Sequence, residues 1–109
     1  MSASGEVTVI CTYRVKQGEE NGFENLLKQH WPTLRNFGLA TEEAPMLFRG
    51  KDNYGPFYVE IFSWVDANAS NEAHNTPEVM KVWEQMGGLV EDRGGRPKME
   101  FPHVERLSL

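Results

Sequence analysis

The chain has 109 residues, 11 Lys and Arg against 16 Asp and Glu, a formal charge of −5 and one cysteine. That length suits a single domain over residues 1–109 with a modest core. The acidic balance and the absence of a basic cluster exclude nucleic acid as an expected partner, and Cys11 alone permits neither an intrachain disulfide nor a multi-cysteine metal site. The opening MSASGE has no basic or apolar leader region, and no apolar run approaches the roughly 20 residues of a membrane span, so a cytoplasmic protein without a membrane partner is expected.

Between Glu6 and Val15, the residues Val7, Val9, Cys11, Tyr13 and Val15 alternate with a more polar set, which predicts the first strand. Cys11 reads there as a small packed hydrophobe. Phe23, Leu26, Leu27, His30, Trp31, Leu34 and Phe37 then recur at three- and four-residue steps, the pattern of an amphipathic helix. Pro32 within it predicts a kink or break near His30, and Gly38 a C′ stop. Residues 45–51 predict a second strand, and the turn formers Asp52-Asn53-Tyr54-Gly55-Pro56 join it as a hairpin to a third at 57–65. In that third strand Phe57, Val59, Ile61, Ser63 and Val65 oppose Tyr58, Glu60, Phe62 and Trp64. Both faces are largely apolar, as an interior strand requires.

Residues 66–75 are polar and small, a connection with at most one irregular helical turn. Thr76-Pro77-Glu78 supplies a side-chain acceptor at N-cap, a ring preset at N1 and a carboxylate in the first turn. The helix it starts carries Val79, Val82, Trp83, Met86, Leu89 and Val90 on one face. Residues 91–97 form a loop, and 98–107 alternate as a last strand in which Pro102 marks an edge or a bulge.

The resulting order, βαββαβ, predicts an α+β, ferredoxin-like fold: a four-stranded antiparallel sheet with both helices on one face. Tyr58, Phe62 and Trp64 lie on one side of the third strand and Val59 and Ile61 on the other, so the helix-free side still carries large apolar groups. A soluble monomer rarely leaves such a patch wet. A homodimer through the sheet faces is expected.

The strand YVEIF, the Ala73-His74 pair, the Thr76-Pro77 helix start and Trp83 resemble the dimeric α+β barrel superfamily, in particular its antibiotic biosynthesis monooxygenase-like branch. The resemblance implies two sheets paired into a barrel. It also implies, in some members, oxidation of polycyclic aromatic substrates without metal or flavin in a pocket between sheet and helices. Haem, used by other members, is not expected, since the first strand lacks an asparagine and Trp83-Glu84 stand where an axial histidine would be sought. No cofactor is expected.

His74, just before the second helix, is either a general base working near neutral pH or a brace of its turn. Glu60 is either a buried carboxylate partnered by Arg14, Arg49 or a residue across the dimer, or an acid/base group with a perturbed pKa. Tyr58, Trp64 and Trp83 are candidate substrate contacts, with core packing the alternative for the aromatic rings, as for Trp31. His103 is either a cavity wall or an ordinary edge residue. No pair of histidines has metal-ligand spacing on a helix, and no glycine-rich phosphate loop is present. The leading functional reading is a cofactor-independent monooxygenase-like enzyme acting on a small aromatic or quinol-like molecule; the alternative is a non-catalytic small-molecule-binding or structural homodimer.

Overall fold

The computed structural model describes residues 5–109; residues 1–4, which hold most of the stretch read for a leader, lie outside the described residues. The elements in chain order are β1 (Val7–Arg14), α1 (Glu20–Asn36), β2 (Met46–Asp52), β3 (Gly55–Trp64), α2 (Ala69–His74), α3 (Pro77–Gly87), β4 (Met99–Glu100) and β5 (His103–Val104). The antiparallel sheet runs β2-β3-β1-β4, with β5 also on β1, so the two central strands are β1 and β3. This is the ferredoxin-like α+β arrangement predicted above.

Register decides which side chains face the helices. Val9 pairs with Phe62, Cys11 with Glu60 and Tyr13 with Tyr58, and all six are buried. Directly opposed residues share a face. These six therefore form the floor on which Phe23, Leu27 and Leu34 of α1 and Val79, Val82 and Met86 of α3 are buried. The other face carries Ile10, Val59 and Ile61, extended on β2 by Met46 opposite Ile61 and Phe48 opposite Val59.

The hairpin between β2 and β3 closes on Asp52 and Gly55, with the Asp52 carboxylate accepting the N–H groups of Tyr54 and Gly55 and Gly55 at φ +135°. Gly38, at φ +69°, ends α1 as expected: the N–H of Leu39 reaches back to the Leu34 carbonyl and that of Gly38 to Arg35, the pattern of a Schellman stop.

Three local expectations are corrected. Pro32 neither breaks nor divides α1, which runs unbroken from Glu20 to Asn36; Lys28, whose carbonyl loses its donor, is exposed, so water can satisfy it. Thr76 precedes α3 but does not cap it with its side chain, because its hydroxyl donates to the Glu72 carbonyl at 2.9 Å and so ties α3 to α2. The last strand is not continuous over 98–107: it is two short pieces interrupted at Pro102. Tyr13 faces Met99 and Val9 faces His103 with the same offset, so no residue is inserted. The proline carbonyl still accepts from Ile10 N–H at 3.0 Å, and only its missing donor interrupts the ladder.

Candidate functional site

At the middle of β3, Glu60 has no solvent exposure. A lone carboxylate there would cost several kcal/mol, and three short contacts compensate it. The Tyr13 hydroxyl donates to Oε1 at 2.7 Å, and His30 Nδ1 lies 2.8 Å and 3.0 Å from the two oxygens. On its far side, His30 Nε2 receives the Trp83 indole N–H at 2.9 Å. An indole nitrogen can only donate, so Nε2 carries no proton and the ring's proton sits on Nδ1, donated to Glu60. The four side chains thus form a directed chain, Trp83 to His30 to Glu60, with Tyr13 as the second donor.

The negative charge at its centre is felt around it. Burial first, then the charge on Glu60, push the Tyr13 phenol well above its ordinary value and do the same to the Cys11 thiol. Cys11 is thereby an unreactive packed group, as its place in the strand suggested.

Above this chain lies a cavity of about 290 Å³ between sheet and helices. Its floor is β1 with Phe62 and Trp64 of β3; its side is closed by Met99, Phe101 and His103; its roof brings His30 from α1, Ser70 and His74 from α2, and Trp83 and Met86 from α3. The connection at 66–75, expected to hold at most one irregular turn, instead contains the short helix α2, which forms part of the cavity rim through Ser70 and His74. His74 is exposed on that helix and donates Nδ1–H to the Ser70 carbonyl at 2.7 Å, and its ring meets Trp83 edge-on with centroids 5.0 Å apart. A carbonyl can only accept, so Nδ1 carries a proton and, in the neutral ring, Nε2 is the acceptor.

The sequence-predicted residues separate into three groups. His74, Trp64 and Trp83 stand on the cavity wall, and so does His103. Glu60 lies one layer beneath, touching the wall residues His30 and Tyr13 without lining the cavity itself. Tyr58 is outside: its ring packs on Phe23 with centroids 5.3 Å apart and its hydroxyl donates to Glu24 at 2.6 Å. Burial and that bond push its phenol up to about 12.

Neither arginine considered for Glu60 reaches it. Arg14 follows Tyr13 on the opposite face and pairs with Glu100 at 2.7 Å, while Arg49, on the outer strand, pairs with Glu24 at 2.9 Å. The residues missed from sequence are His30 and Tyr13. The signal was present for His30: it occupies the buried stripe of α1 between Leu27 and Leu34, and a buried histidine and a buried carboxylate on facing elements are natural partners. Among the described residues no group of three or more His, Cys, Asp or Glu is placed to hold a metal ion.

Fold and cavity together define an α+β ferredoxin-like chain with a ligand-sized space between sheet and helices. No family model matches the chain, and no curated protein does. Solved structures do. SnoaB from Streptomyces nogalater, a cofactor-independent oxygenase, is 20% identical with a TM-score of 0.68 over 96% of this chain and 97% of its own. A candidate antibiotic biosynthesis monooxygenase from Bordetella bronchiseptica is 17% identical with a TM-score of 0.72, over 95% and 99%, and another from Caulobacter crescentus is 17% identical with a TM-score of 0.66, over 94% and 92%. At these identities the likeness establishes the fold, which is that of the antibiotic biosynthesis monooxygenase-like proteins.

Proposed function

We propose that the chain, as one domain over residues 1–109, is a cofactor-independent monooxygenase-like enzyme that oxidises a small aromatic or quinol-like molecule in the cavity. It would work as a homodimer joined through the helix-free sheet faces. The observation that carries this reading is His74: its ring lines an aromatic-walled cavity, and its bond to the Ser70 carbonyl makes Nε2 the acceptor of the neutral ring. The same bond that braces α2 therefore fixes the tautomer a base needs.

In this reading Trp64 and Trp83 hold the ring by stacking, and His74 Nε2 takes a proton from a ring carbon bearing two hydrogens, as in an anthrone or the keto form of a phenol. The resulting anion is electron-rich. It gives one electron to dioxygen, the substrate radical and superoxide combine into a C–O bond, and the proton returns from His74 to give a hydroperoxide. Loss of the second hydrogen with hydroxide leaves a ketone or quinone and one water. All electrons come from the substrate, so the reaction requires no flavin or metal. Glu60 acts through His30 as a positioning residue, while Tyr58, outside the cavity, supports α1 through Glu24.

The test is oxygen uptake with an anthrone-type substrate in the presence of a chelator. One dioxygen consumed per substrate is expected, and His74→Ala should lower kcat by about 10²-fold or more while lowering the melting temperature by no more than a few degrees, the cost of one exposed bracing bond. Binding of the anthrone without uptake above the spontaneous rate would favour a non-catalytic binding protein instead.

A further inference from the structure

His30 and His74 both line the cavity, and Trp83 contacts both, with ring centroids 6.3 Å and 5.0 Å away. Each has its Nδ1 proton committed to a fixed acceptor, Glu60 for one and the Ser70 carbonyl for the other. Glu60 cannot turn away to release that proton, because it is fully buried and holds the Tyr13 hydroxyl as well. In the neutral form of each ring Nε2 is therefore an acceptor and not a donor. At His74 that acceptor is free; at His30 it is occupied by the Trp83 N–H.

We propose that His30 Nε2 is a hydroxyl-binding subsite held closed by the Trp83 indole N–H, and that with His74 it makes the cavity select aromatic ligands bearing hydroxyl donors over their ether or quinone counterparts. This rests on the reading of the cavity as an aromatic site, but not on its being catalytic. A ligand hydroxyl replaces one donor at His30 by another, so the buried acceptor is never left bare, and the cost is confined to the half-buried Trp83 N–H, which must take the ligand oxygen or water as its new acceptor. A quinone or ether oxygen placed there would set lone pair against lone pair while displacing a good bond, and sites built to pair a hydroxyl discriminate strongly against analogues lacking it. The same mismatch favours release of an oxidised product.

The experiment is a titration of the full chain, under argon, with a naphthalenediol, its dimethyl ether and the corresponding naphthoquinone, followed by calorimetry and by the Trp83 indole N–H resonance. The diol should bind at least about tenfold more tightly than the ether or the quinone, and at saturation it should move the Trp83 N–H resonance further than the ether does. His30→Phe should reduce the preference to what His74 alone supplies. Because that change strips Glu60 of a partner and can cost the fold, Trp83→Phe is the decisive variant: it keeps an aromatic wall, removes the competing donor, and should raise the ratio of diol to ether affinity about three- to tenfold, whatever the smaller ring does to both. Equal binding of diol and ether, or a Trp83→Phe variant that weakens both alike, overturns the subsite. The two proposals separate cleanly: diol selectivity without oxygen uptake keeps the subsite and removes the oxygenase, whereas oxidation with no diol preference does the reverse.

Discussion

Glu60 shows how one buried charge organises its surroundings, since both of its donors belong to side chains that would otherwise need partners themselves. Glu60→Leu leaves the His30 Nδ1–H and the Tyr13 hydroxyl unpaired in the core, and is expected to destabilise by about 3 kcal/mol or more. Tyr13→Phe removes a single bond to a charged acceptor and should cost about 1.5–3 kcal/mol; chemical denaturation of the two variants checks both. Tyr13 and Tyr58 also tie stability to alkaline pH. A phenol whose pKa is raised on folding stabilises the folded chain below its unfolded value, and that contribution disappears as pH rises through the folded value, about 12 for Tyr58 and well above the ordinary value for Tyr13. Melting temperature should therefore fall as pH climbs from ~10 toward ~12, and less steeply in Tyr58→Phe. An unchanged slope in that variant would remove Tyr58 from the account.

In the elements the informative case is α1, a continuous helix that carries an exposed proline in its interior. Pro32→Ala restores a donor for the Lys28 carbonyl and removes a steric clash, so a gain of about 1–3 kcal/mol is expected. A thermal melt showing no gain would mean that the ladder is already relaxed around the ring. The two long helices, the first three strands and their order followed from periodicities of two and three to four residues, whereas α2, polar and only six residues long, reads in the sequence as an irregular turn. What periodicity could not supply was contact between elements. Glu60 was recognisable as a buried carboxylate, but its partners lie 47 and 30 residues away, and nothing in the spacing distinguished His30 and Tyr13 from Arg14 and Arg49. Pro32 and Thr76 show the converse limit: a local rule named the residue correctly, while solvent at Lys28 and the Glu72 carbonyl decided what it did. For His74 the brace is visible in the bond from Nδ1 to the Ser70 carbonyl, and its role as a base is the proposal that His74→Ala tests.

For the whole molecule, the two sheet faces have opposite fates. The face under the helices is covered, whereas the other leaves Met46 and Phe48 54% and 53% exposed beside Ile10, Val59 and Ile61. Among the described residues no helix is long and apolar enough to cross a membrane, so this patch is not accounted for by a helical span. A second copy of the chain, related by a two-fold axis, would bring the patch against itself and cover it on both. The expected species in light scattering at micromolar concentration is twice the 12.4 kDa chain mass, with more than about 1,000 Å² buried in the contact. Phe48→Glu provides the sharper test: an isologous contact meets the substitution twice, bringing two unpaired carboxylates into an apolar interface, which should convert the dimer to monomer. The cavity is walled by residues of a single chain on the opposite side of the sheet. The monomeric variant should therefore still bind the naphthalenediol within a few-fold of the parent. A wild type that runs at the mass of one chain ends the dimer proposal, and a Phe48→Glu protein that stays dimeric moves the contact away from this face.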